Sequence, residues 1–201
     1  MYVPRSFTLA ETQVAAAIDA APFATLVTAD GDGMPLASHI PVLRDGDALV
    51  GHVARANPHA ALLAAGRVTT VIFHGPHAYV SPTWYASGPA VPTWNYIAVH
   101  ATGHPVAITD EIAVRATLDA LSRTFETGER PWRLADQADT FIAGLVRGII
   151  AFRLVPDRVD AKAKLSQNRP PADRAGVIAA LLHSTLPGDR DLAAAMRDFA
   201  E

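Results

Sequence analysis

The sequence predicts a mainly β, α+β fold: an antiparallel barrel with helices at its periphery. Three observations carry this expectation. Short β-branched apolar runs are separated by hairpin-type turns, Asp30-Gly31-Asp32-Gly33 and Arg44-Asp45-Gly46-Asp47. Helical segments stand at the start, between strands and at the end, without the alternation of βαβ units. Half of the 201 residues are hydrophobic and 18% are charged, ample material for a core.

Taken in order, Thr8 and Glu11 form a capping box for a first helix whose apolar face is Val14, Ala17, Ile18 and Ala21. Pro22 stops it. Residues 23–29, 35–43 and 48–54 read as three successive antiparallel strands. Asn57 caps a short helix that begins at Pro58, runs to Ala65 and ends at Gly66. Residues 68–73 form a buried strand, and His74-Gly75-Pro76-His77 is a turn. Residues 78–85 and 93–103 are extended segments joined by a loop with Gly88, Pro89 and Pro92. Val114, Leu118, Leu121 and Phe125 keep helical spacing within 110–126, and a shorter helix covers 135–145. Residues 148–155 are the last core strand, with an extension through 159–165 left open. Alanine-rich helices near 172–182 and 189–200 follow. The expected organisation is a single domain over residues 1–201, with 109–145 a helical insertion and 170–201 a C-terminal helical extension.

Several function classes find no support. No P-loop, dinucleotide fingerprint, zincin or nucleophile-elbow motif is present. Cysteine is absent, which removes disulfides, thiolate metal sites and cysteine nucleophiles. No apolar run approaches a membrane span, and Met1-Tyr2-Val3-Pro4-Arg5 lacks the apolar stretch of a signal peptide, so the expected compartment is the cytoplasm. The net charge of −3 does not advertise nucleic-acid binding, although residues 144–174 hold seven Lys+Arg against three Asp+Glu. Lys162 and Lys164, two apart, face the same way in a strand. Seven of the eight histidines precede residue 105, but a histidine-only site needs three or four converging rings with further partners behind them, and no metal is assigned.

Three segments carry chemistry. In Gly51-His52-Val53-Ala54-Arg55-Ala56-Asn57-Pro58-His59 a strand passes through a small-residue loop bearing Arg55 into a helix N-terminus, an arrangement suited to a phosphate. Gly51 and Ala54 would let a ligand approach the backbone; an ordinary helix cap with Arg55 on the surface is the alternative. Residues 79–96 gather two of the three tryptophans and three of the four tyrosines, a stacking surface, a subunit contact or a core seam. Lys162-Ala163-Lys164-Leu165-Ser166-Gln167-Asn168-Arg169 could close on an anionic ligand or be a solvated basic loop.

These segments, with Met1-Tyr2-Val3-Pro4-Arg5-Ser6-Phe7, His39-Ile40-Pro41, Phe73-His74-Gly75-Pro76, Tyr79-Val80-Ser81-Pro82-Thr83-Trp84-Tyr85 and Val91-Pro92-Thr93-Trp94-Asn95-Tyr96, resemble the PaiB-type FMN-binding negative transcriptional regulators over nearly the whole chain. The resemblance implies a split β-barrel of the FMN-binding type, working as a homodimer with flavin at the subunit interface. It implies that Arg55 and Asn57 take the FMN phosphate, and that Ser38, His39, His52 and Val53 line the pocket. Trp84, Trp94, Asn95 and Tyr96 would supply dimer contacts and one flavin wall, and Lys164, Ser166 and Gln167 would close the pocket. A repressor role follows from the resemblance, but the last helix, with Asp189, Asp191, Asp198 and Glu201 against Arg190 and Arg197, is a poor DNA-recognition helix. The alternative is a small FMN-dependent oxidoreductase, with His39, His52 and Tyr96 as acid–base candidates. A haem-binding barrel with a histidine ligand is the third reading.

Overall fold

Six strands close into a barrel in the order β1-β2-β3-β6-β5-β4. They are β1 (Phe23–Ala29), β2 (Pro35–Asp45), β3 (Ala48–Ala54), β4 (Thr69–Val80), β5 (Thr93–Ile108) and β6 (Ile149–Lys164). The helices are α1 (Glu11–Ala20), α2 (His59–Ala64), α3 (Glu111–Phe125), α4 (Asp139–Arg147), α5 (Pro171–His183) and α6 (Asp189–Asp198). The computed structural model describes residues 1–199. Ala200, expected to end the last helix, and Glu201 lie outside the described residues.

Each hairpin follows from its turn. The side chain of Asp30 accepts the N–H groups of Asp32 (3.0 Å) and Met34 (2.8 Å), and Gly33 takes a φ of +82°. That turn sets the β1–β2 register, in which Thr25 faces His39 and Leu26 faces Ser38. Gly46, at φ +62°, closes the β2–β3 hairpin. Along β1 the buried positions alternate, so Ala24, Leu26 and Thr28 point inward.

The chain divides into two compact units. One comprises Ala21–Phe73 and His100–Val159, and its core holds Leu26, Leu49, Leu63, Phe73, Ile142, Phe152 and Leu154. The other comprises Met1–Ala20, His74–Val99 and the chain from Asp160 onward, with Leu165, Val177, Leu181, Leu192 and Met196 at its centre.

Three local expectations change, and the open question of the last strand's extent is decided. Thr8 and Glu11 make no capping box; Gln13 reaches back instead, its side-chain oxygen accepting the N–H of Ala10 at 2.9 Å. His74-Gly75-Pro76-His77 is not a turn, because β4 runs unbroken to Val80. Gly75 makes that course possible, since a Cβ there would stand 3.1 Å from Ile97 on the neighbouring strand. The last strand also continues without a break, through to Lys164. Gly51 serves packing rather than ligand approach: a Cβ would lie 3.0 Å from the Pro41 carbonyl and 3.3 Å from the Phe152 ring.

Candidate functional site

Six of the thirteen residues expected at the site lie in the unit formed by residues 21–73 and 100–159. The pleat of β2 sends Ser38 inward, where it is buried, and His39 outward. His39 is exposed, its Nδ1 paired with Thr25 Oγ1 at 2.9 Å. On β3, Val53 is buried and His52 is half-buried. His52 Nδ1 is a buried polar atom with no hydrogen-bond partner among the described residues. Burial also holds this ring below the ordinary histidine pKa, so it is neutral at pH 7.

Arg55 is bound from three directions. Its Nε donates to the Arg147 carbonyl at 2.7 Å, an Nη2 hydrogen to the Ile149 carbonyl at 2.9 Å, and its backbone N–H to the Gly148 carbonyl at 2.8 Å. The guanidinium thus ties down the link between α4 and β6 while remaining exposed, with Nη1 unengaged among the described residues.

The N-cap of α2 is Pro58, one residue later than expected, and Asn57 stands just before it. Its Oδ1 accepts the His59 N–H at 2.9 Å, and its carbonyl accepts the Ala60 N–H at 2.9 Å. The first N–H groups of α2 are therefore engaged by the protein itself. Asn57 Nδ2 then donates to Ser38 Oγ at 3.3 Å, which joins two of the expected residues directly.

His59 also belongs here, although sequence reasoning did not single it out. It is fully buried, with Nδ1 3.0 Å from Ser38 Oγ and Nε2 2.8 Å from Thr28 Oγ1. Burial lowers its pKa. A signal was available: His59 is four residues before Leu63, which places both on one face of a short helix.

The remaining seven expected residues lie in the other unit. Alternation at the start of β5 exposes Trp94, 54% accessible, and buries Asn95. Asn95 Nδ2 donates to Ser166 Oγ at 2.9 Å, and Ser166 adopts a left-handed φ of 60°. Gln167 closes the end of β6 with its own amide, accepting the Leu165 N–H at 2.6 Å and donating to the Ala163 carbonyl at 2.5 Å. Lys164 donates to the Trp94 carbonyl at 2.8 Å and to Thr93 Oγ1. Its ammonium is pushed below the ordinary lysine pKa, first by burial and then by the charge of Lys162. That coupling fits two lysines on the same face of β6.

Lys162 is a further residue of this corner. Only 8% accessible, it donates to the Tyr2 carbonyl at 3.3 Å and lies 5.3 Å from the ring of Tyr96, 5.8 Å from Tyr2 and 6.0 Å from Phe7. Trp84 joins Trp94 through Tyr79, with ring centroids 6.4 and 6.3 Å apart in edge-on pairs. The segment carrying Trp84 is held against α5 by Asp173, a buried carboxylate that accepts the Ser87 N–H at 2.9 Å and hydroxyl at 2.5 Å. Those bonds from Ser87 hold the Asp173 carboxyl below the usual carboxylate range, although burial opposes them.

Among the described residues no three histidine or carboxylate side chains converge on a metal position. No described helix is long and apolar enough to cross a membrane.

Barrel, loop and polar cluster together define a class, the antiparallel split barrels with peripheral helices. Comparison with known proteins is specific about the branch. Residues 1–158 match the family model described as "Putative FMN-binding domain". The chain is 32% identical to "Protease synthase and sporulation protein PAI 2" of Bacillus subtilis, over 98% of this chain and 97% of that one. The protein belongs to this PaiB-type FMN-binding domain family. The fold is shared with the FAD and heme binding protein of Mycobacterium smegmatis (TM-score 0.63, 23% identity, 80% of this chain and 74% of that one). It is shared too with the flavocytochrome Anf3 of Azotobacter vinelandii (TM-score 0.61, 18% identity, 81% and 72%).

Proposed function

We propose that this chain binds FMN as a homodimer and serves as a flavin-dependent negative regulator of the PaiB type. The observation that carries the flavin reading is the pairing, on one short segment, of an unengaged arginine Nη1 with an orphaned buried imidazole nitrogen at His52. An anionic, hydrogen-bonding ligand suits both groups. In this reading Arg55 grips the phosphate, His52 donates or accepts at Nδ1, and Ser38, Val53 and Asn57 shape the wall. His39, on the outward face of β2, contributes at the rim. Trp84, Trp94, Asn95 and Tyr96 serve the second copy and the flavin face, and Lys164, Ser166 and Gln167 close over the ligand. Bound FMN would supply electron exchange or a redox-sensitive state, and the chain binds and orients it.

Regulation through a protein partner fits the chain better than direct DNA contact. The buried side of α6 holds Asp189, Leu192, Ala193 and Met196, while Arg190, Asp191, Arg197 and Asp198 remain outside with balanced charge. A small FMN-dependent oxidoreductase is the second reading, favoured by the neutral His52 ring, which is able to hold or pass a proton at Nδ1.

The deciding experiment is the absorption spectrum of the purified protein before and after FMN addition and gel filtration. A retained two-band flavin spectrum is expected, lost in Arg55→Ala while the variant stays folded. A wild type that never holds FMN overturns the flavin reading, and an Arg55→Ala variant that keeps it overturns the phosphate assignment.

A further inference from the structure

Beneath the Arg55 loop a chain of hydrogen bonds crosses the unit formed by residues 21–73 and 100–159. Asn57 Nδ2 contacts Ser38 Oγ (3.3 Å), Ser38 Oγ contacts His59 Nδ1 (3.0 Å), and His59 Nε2 contacts Thr28 Oγ1 (2.8 Å). Thr28 Oγ1 then meets Thr69 Oγ1 (2.7 Å), which donates to the Arg67 carbonyl (3.0 Å). Every side chain between the two ends, Ser38, His59, Thr28 and Thr69, is buried.

Hydrogen counting gives this chain a direction. Thr69 has one hydroxyl hydrogen, and the Arg67 carbonyl can only accept, so that hydrogen goes to Arg67. The Thr28 hydroxyl must then donate to Thr69, which leaves Thr28 Oγ1 to accept from His59 Nε2–H. Asn57 donates to Ser38, whose own hydrogen is directed onto a bare His59 Nδ1. With a neutral ring protonated at Nε2, all five bonds form and every hydroxyl hydrogen among them has an acceptor. A proton at Nδ1 as well would leave the Ser38 hydroxyl hydrogen without its acceptor inside the fold.

We propose that His59, fixed as the neutral Nε2–H tautomer, is the positioning residue that holds Ser38 and Asn57 and so pre-forms the Arg55 loop for a phosphate monoester. This rests on the FMN reading above and adds how the site is built: Ser38 and Asn57 act as supports, and the loop pays little ordering cost when an anion arrives. The part of the ring that matters to the loop is its Nδ1 acceptor, which faces Ser38.

Two variants separate the halves of the ring. His59→Asn retains an acceptor toward Ser38, whereas His59→Gln retains a donor toward Thr28. FMN and riboflavin, which differ by the phosphate, are titrated into wild type and both variants. His59→Gln is expected to lose about tenfold in FMN affinity with riboflavin affinity unchanged, the scale of one net hydrogen bond, while His59→Asn stays within about threefold of wild type. Histidine-labelled wild-type protein, observed by nitrogen NMR, should show one ring protonated at Nε2 and bare at Nδ1. A ring protonated at Nδ1 overturns the proposal even if both variants fail to fold. A His59→Gln variant that keeps the wild-type preference for FMN, or that loses both ligands equally, overturns the positioning role alone. A wild type that binds FMN and riboflavin alike overturns the phosphate reading, and the positioning role with it.

Discussion

The relay under the Arg55 loop and the lysine corner at the end of β6 bury polar groups by opposite means. Around His59 every buried group is neutral and has a hydrogen-bond partner. At the lysine corner two ammonium groups are held by carbonyls, a hydroxyl and aromatic rings, with no carboxylate pairing with either among the described residues. A neutral network depends on geometry and is insensitive to salt, while a like-charged pair carries a standing electrostatic cost that an anion would relieve. The first design suits a preformed support and the second a place that responds to what binds.

The contrast is sharpest in truncation. His59→Ala strips partners from Ser38 and Thr28 and leaves a cavity, so it should cost about 3 kcal/mol in urea unfolding. A loss below about 1 kcal/mol would mean that water replaces the ring without penalty. Lys162→Met keeps the volume but discards the contacts with three rings, and should cost only about 1 kcal/mol. A more stable variant would show that the rings do not offset burial of the ammonium, and the comparison would then tilt further toward His59.

The pH dependences should share a sign, stability rising with pH, but fall in separate windows. Burial lowers the pKa values of His52 and His59, so as pH falls through about 6.5 the unfolded chain takes protons that the fold refuses. Stability should fall from that point and level off below the lowered values. The decline in unfolding midpoint should be shallower in His59→Gln, and an unchanged slope would show that His59 does not titrate between the two states. For Lys164 the lowered value makes the charged form costly at neutral pH, and this cost is relieved as pH rises through the lowered value toward that of ordinary lysine. Lys164→Met should flatten that alkaline gain, the smallest of these effects because the side chain is partly exposed and screened.

Local chemistry made much of the fold legible. Turn residues and β-branched runs place β1 and β3 at their observed boundaries, and Asn-Pro marks the entry to α2 to within one residue. The resemblance selects Ser38, His52 and Arg55 for ligand contact, but their bonding partners could not be read in advance. His59 meets Thr28 and Ser38 across 31 and 21 positions of chain, and Arg55 meets Arg147 across 92. Such pairs depend on strand register and on where α4 ends, which no local window contains. Gly51 misleads for the same reason: only the folded barrel brings the Phe152 ring against it.

The approach of α5 to the segment carrying Trp84 has a consequence for protein engineering. A side chain at Gly176 would collide with the Trp84 carbonyl, and Arg169 stacks on the ring of Tyr85 at 4.6 Å. Loop and helix are therefore a matched set. Anyone grafting residues 81–92 from a relative to alter ligand choice would need to transplant the α5 surface in the same step, because a foreign loop would meet a helix shaped for another backbone.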